Sequence, residues 1–128
     1  MTRAAFIFLL SACILGCGNK RSVIKKVHVN GVNILWFRES YLDNTRAFIT
    51  LEDDKHIDTL VSCEEPIITD FLIVKDTVTI KMYDLKNAPI YHKTNHCKNY
   101  TIILKNATYE EWHKHYHPKE RFYPVKGL

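Results

Sequence analysis

The chain has 128 residues, 46% of them hydrophobic and 25% charged, with a net charge of +4. These values suit one folded domain and exclude a disordered tail, a collagen-like repeat and a multi-pass membrane protein. The four glycines form no Gly-rich phosphate loop, and the modest charge does not mark a nucleic-acid binder.

Met1-Thr2-Arg3 is followed by an almost unbroken apolar run, Ala4 to Leu15, and then by Gly16-Cys17. A basic start, an apolar stretch and a small residue make a secretory signal peptide. The stretch falls short of the roughly 18–20 residues that cross a bilayer. Its last four residues, Ile14-Leu15-Gly16-Cys17, resemble the lipobox of bacterial lipoproteins, although Leu15 stands where a small or β-branched residue is usual. Leu10-Ser11-Ala12-Cys13 follows the same pattern but leaves only Ala4 to Leu10 as apolar core. Cys17 is therefore favoured over Cys13. The resemblance implies that Cys17 is diacylated, becomes the mature N-terminus and holds the protein on the membrane. Gly18 rather than Asp after the cysteine implies, by likeness to enterobacterial sorting, the outer membrane of the cell envelope. Residues 1–16 then form the signal peptide, 17–22 a lipid-anchored basic linker, and 23–128 a single domain.

Charge is unevenly spread. Residues 18–38 carry five bases and no acid, residues 39–84 eleven acids against four bases, and residues 85–128 eight bases against three acids with five of the seven histidines. The first block suits a solvated linker or anionic head groups, and the acidic block suits a cationic partner.

From Val23 onward, short β-branched and aromatic runs alternate with turn residues. Strands are expected over 23–29 and 32–38 about Asn30-Gly31, a strong type I′ hairpin signal. Further strands follow at 46–52, 56–62, 67–74, 77–83, 90–94 and 100–105. No helix-period segment separates them, so the expected fold is mainly β: a small antiparallel β-sandwich of about seven or eight strands. Trp36, in register with Val32 and Ile34, is placed in its core.

One short C-terminal helix is expected, starting at Thr108. Thr108-Tyr109-Glu110-Glu111 fits a capping box, and Tyr109, Trp112 and Tyr116 form a stripe that would dock on a sheet. His113, His115 and His117 lie in the same segment. On a helix His113 and His117 share a face, and on a strand all three would. This is the candidate metal site, suited to weakly held Zn or Cu, and no cysteine or carboxylate completes a zinc pattern. No other cofactor is expected.

After export, Cys63 and Cys97 are the two cysteines left in the domain, and they are expected to pair as a structural disulfide. Glu52, Asp53 and Asp54 read as a solvated hairpin tip. No catalytic nucleophile–base arrangement is recognisable. The expectation is a non-enzymatic, lipid-anchored binding module of adaptor, inhibitor or immunity type. Its partner would be an envelope protein or a glycan, with no nucleic acid. A metal-binding protein and an envelope hydrolase are the competing readings.

Overall fold

The computed structural model describes residues 21–119, so the expected signal peptide, Cys13, Cys17 and residues 120–128 lie outside the described residues. Among the described residues nine strands form two sheets. They are β1 (Arg21–Val29), β2 (Val32–Ser40), β3 (Thr45–Glu52), β4 (Ile57–Glu64), β5 (Ile68–Val74), β6 (Thr77–Tyr83), β7 (Ile90–Lys93), β8 (His96–Cys97) and β9 (Tyr100–Ala107). A 3-10 turn (Leu85–Asn87) precedes β7, and helix α1 (Tyr109–Tyr116) follows β9. The first sheet has the order β1-β2-β3-β4-β7 and the second β5-β6-β9-β8. The mainly-β sandwich with one C-terminal helix is the expected architecture. β1 begins two residues earlier than expected, taking Arg21 and Ser22 out of the linker.

Asn30 and Gly31 both adopt positive φ, 48° and 77°, as a type I′ turn between β1 and β2 requires. Alternation then sorts side chains between faces. Ile34 and Trp36 of β2, Ala47, Ile49 and Leu51 of β3, and Leu60, Val61 and Cys63 of β4 are buried. They share one core cluster with Ile68 and Phe71 of β5, Val78, Ile80 and Met82 of β6, and Tyr100 and Ile102 of β9. Trp36 is only 2% exposed, in agreement with its expected core position.

One pairing departs from the antiparallel expectation. β6 and β9 run parallel, from Thr77 opposite Thr101 to Tyr83 opposite Ala107. The cause is the excursion between them. β7 crosses to the first sheet and pairs with β4, so one strand length is used outside the second sheet. The chain returns through β8 at the end where β6 began, and β9 must then follow the direction of β6.

The free edge of β5 is covered by side chains rather than by another strand. Lys25 Nζ donates to the Phe71 carbonyl at 2.8 Å and to Asp70 Oδ1 at 2.8 Å. The Tyr116 hydroxyl donates to the Ile68 carbonyl at 2.6 Å, and Trp112 Nε1 to the Pro66 carbonyl at 2.8 Å. Bare strand edges recruit other strands, and occupied acceptors remove that template.

Trp36 is buried in the shared core cluster, and truncating a buried Trp costs about 3–5 kcal/mol. Trp36→Ala is therefore expected to shift the urea midpoint sharply downward. Circular dichroism across a urea titration measures it, and an unchanged midpoint would contradict the core assignment.

Candidate functional site

Helix α1 forms where the sequence places it. Thr108 Oγ1 accepts from the Glu111 amide at 3.1 Å, the expected N-cap. The reciprocal half of the capping box is absent, because the Glu111 carboxylate instead meets Lys81 Nζ at 3.2 Å. The aromatic stripe docks as expected. Tyr109 and Trp112 meet Tyr83 of β6 with centroids 5.9 and 5.3 Å apart, while Trp112 and Tyr116 reach back to the turn before β5.

The helix separates the three histidines. His113 and His117 lie side by side, ring centroids 5.3 Å apart, whereas His115 turns inward and stacks on Trp36 at 4.8 Å. Burial above all, and the Arg38 cation second, lower the His115 pKa from its ordinary 6.5, with Asp70 opposing. This is the grouping a helix dictates, so the three candidate metal ligands His113, His115 and His117 do not converge. Among the described residues no group of three or more His, Cys, Asp or Glu side chains is placed to hold a metal ion. Beside His115, burial raises the Glu65 pKa, with Arg38 and the Tyr116 hydroxyl opposing.

Cys63 and Cys97 are both free thiols, which corrects the expected disulfide. The Asp58 carboxylate lies against Cys97, and Asp58 and Cys63 are five residues apart on β4. Along a strand that is about 16 Å, and a disulfide needs Cα atoms within about 7 Å of each other. Burial first, then Glu65 and Glu64, push the Cys63 thiol up to about 12. Burial and Asp58 raise that of Cys97. Nucleophilic chemistry needs a thiolate, and both sites suppress it.

At the expected acidic tip, Asp53 is committed to structure. It accepts from the amides of Lys55 and His56 at 2.8 and 2.7 Å and pairs with Lys98, and these donors, led by Lys98, hold its carboxyl well below the usual range.

Where α1 leans over the second sheet, a cleft of about 400 Å3 is lined by Thr69, Asp70, Lys81, Glu111, Lys114 and His115. Its charges are already matched: Lys25 with Asp70 at 2.8 Å, Lys81 with Glu111 at 3.2 Å, and Lys114 with Glu110 at 3.1 Å. Such a cleft offers hydrogen-bonding groups without a net charge. Beside it, away from α1, the outer face of the second sheet is open among the described residues. Leu72, Thr79 and Ile103 form one row across β5, β6 and β9, and Val74, Thr77, Thr101 and His96 form the next. Leu72, Val74 and Ile103 are 44%, 63% and 46% exposed. The first sheet contrasts with this. On its outer face the Arg21 guanidinium lies over Phe37, Phe37 stacks on Phe48, and Leu35 and Phe37 are buried.

This bare face escapes a sequence reading because Phe71-Leu72-Ile73-Val74 and Ile102-Ile103-Leu104 look like wholly buried strands. The available signal is surplus: consecutive apolar residues in a two-faced strand exceed what one core can take. No protein family, curated protein or solved structure matches this chain.

Two measurements check the helix. Below pH 6.5 the unfolded chain binds more protons at residue 115 than the folded one, so this contribution to stability is present above 6.5 and lost as pH falls through the lowered folded value. His115→Phe keeps a ring on Trp36 and removes the titration, so its melting temperature should fall less than wild type between pH 7 and pH 5. Two imidazoles alone hold zinc weakly, since structural sites use four ligands and catalytic sites three. Zinc calorimetry is expected to show no stoichiometric nanomolar binding, and His113→Ala/His117→Ala should remove whatever weak heat there is.

Proposed function

We propose that this chain is a lipid-anchored cell-envelope protein whose sandwich is a non-catalytic binding module, and that the bare half of the second sheet is its binding face. The observation that carries this reading is the pair of adjacent cross-strand rows, in which three large aliphatic side chains stand exposed among threonines. Contiguous exposed apolar surface beside polar groups marks interaction sites. A flat field of aliphatic and threonine side chains buries best against another apolar surface, which favours a protein partner over a glycan. The charge-balanced cleft under α1 supplies hydrogen-bonding groups at the rim. The two protonated thiols and the committed Asp53 support a binding role over a hydrolytic one. The lipobox-like Ile14-Leu15-Gly16-Cys17 supports the anchor.

Leu72→Asp/Ile103→Asp places two charges in the first row. Exposed substitutions usually change stability by no more than about 0.5 kcal/mol, so the variant should melt close to wild type. It is expected to lose the protein that co-purifies with wild type from detergent-solubilised envelopes. Full retention of that partner by a folded double variant would refute the assignment of the face.

A further inference from the structure

The sandwich has two distinct ends. One gathers the Asn30-Gly31, Asp53–His56 and Lys75-Asp76 turns, and the other gathers the start of β1, the 41–44 turn, the start of β7 and α1. Arg21 opens β1 and pairs with Glu39, two residues before Tyr41. Cys17 lies four residues before Arg21 in the sequence. Fully extended, those four steps reach about 14 Å, whereas the nine residues of β1 span about 30 Å. A lipid on Cys17 would therefore keep the second end at the membrane, with the Asn30-Gly31 end standing away from it.

The near end sets an apolar tip among tyrosines, an arginine and the carboxylates Glu39, Asp43 and Glu64. The Tyr41–Asn44 turn is closed by the Tyr41 amide donating to the Asn44 carbonyl at 2.7 Å, and Leu42 at its tip is fully exposed. Among the described residues it is the one large apolar side chain that stands exposed in a connecting turn. At the opposite end the exposed aliphatics, Ile57 and Val74, lie on strands beside the turns rather than at a turn tip. Beside it the Arg46 guanidinium lies between the rings of Tyr41 and Tyr91, at 5.0 and 4.4 Å, with exposed Val23 on the neighbouring β1. Two tyrosines and an arginine flanking an apolar tip suit the headgroup boundary, where one end of each side chain is apolar and the other wet.

We propose that the Tyr41–Asn44 turn is the membrane-contacting tip of the domain, with Leu42 seated in the headgroup boundary of the bilayer that holds the anchor. This rests on acylation of Cys17. It fixes the orientation of the binding face as well. The rows of Leu72 and Val74 cross the strands toward the Lys75-Asp76 end, away from the bilayer and open to a partner approaching along the envelope.

The test uses the full lipoprotein in its own membranes, with a photo-crosslinking amino acid placed at position 42 or, as control, at exposed position 54. Mass spectrometry of the mature N-terminal peptide is run on the same samples, and melting curves verify that each variant is folded. Lipid adducts at position 42 and their absence at position 54 support the proposal. An acylated Cys17 with no adducts at 42, or with equal adducts at both positions, overturns the membrane contact and leaves the anchor standing. An unmodified Cys17 overturns the anchor and the proposal together.

Discussion

Three backbone carbonyls around the free edge of β5 hold the sandwich shut. Those of Pro66, Ile68 and Phe71 accept from Trp112, Tyr116 and Lys25, three side chains that come from opposite ends of the described chain. Each neutral bond contributes only about 0.5–1.5 kcal/mol net. Their collective effect is larger than that sum, because they fix where β1 and α1 lie. With α1 strapped down, His115 is pressed onto Trp36 and Glu65 is drawn in beside Arg38 and Tyr116. The cleft under the helix exists because α1 crosses Lys81 on its way to this edge.

The two outer faces show how similar materials reach different ends. On the first sheet, Arg21 covers Phe37 and also pairs with Glu52, while Arg46 sits between two tyrosines whose hydroxyls donate to Glu39 and Glu64. The cations seal aromatic surface there with their apolar stems and planar heads. On the second sheet, the corresponding rows hold threonines, whose side chains are too short to lie over Leu72 or Ile103. One face is covered by its own side chains, and the other leaves Leu72, Val74 and Ile103 exposed.

Much of this arrangement is legible in the residues. Asn30-Gly31 dictates a positive-φ turn, and the alternation of Val78, Ile80 and Met82 dictates which face of β6 is inside. Thr108 and the aromatic stripe of α1 likewise state where the helix starts and which side docks. What stays hidden is long-range. The parallel β6–β9 pair depends on β7 joining the other sheet, and nothing local in Tyr100–Ala107 encodes that choice. The thiols illustrate the same limit. Their number and flanking charges suggest a bridge, but position along β4 decides, and it places Cys97 by Asp58 rather than by Cys63. His115 shows a related limit: helical spacing sets it apart from His113 and His117, yet its contact with Trp36 is set by the anchoring of Trp112 and Tyr116.

The parallel pair also orders events in time. β1 to β4 are joined by successive hairpins, whereas β6 meets β9 across a separation of 24 residues, Thr77 opposite Thr101. Contacts of that separation form slowly because the intervening chain must be closed into a loop first. Until β9 arrives, β6 is an open edge, and the late helix has no completed sheet to strap. A nascent chain thus holds a sticky intermediate for as long as its last third is unplaced. Shortening the 84–99 connection at the expense of β7 would leave that hazard unresolved, because β7 is what turns the chain round to enter beside β6 in the same direction.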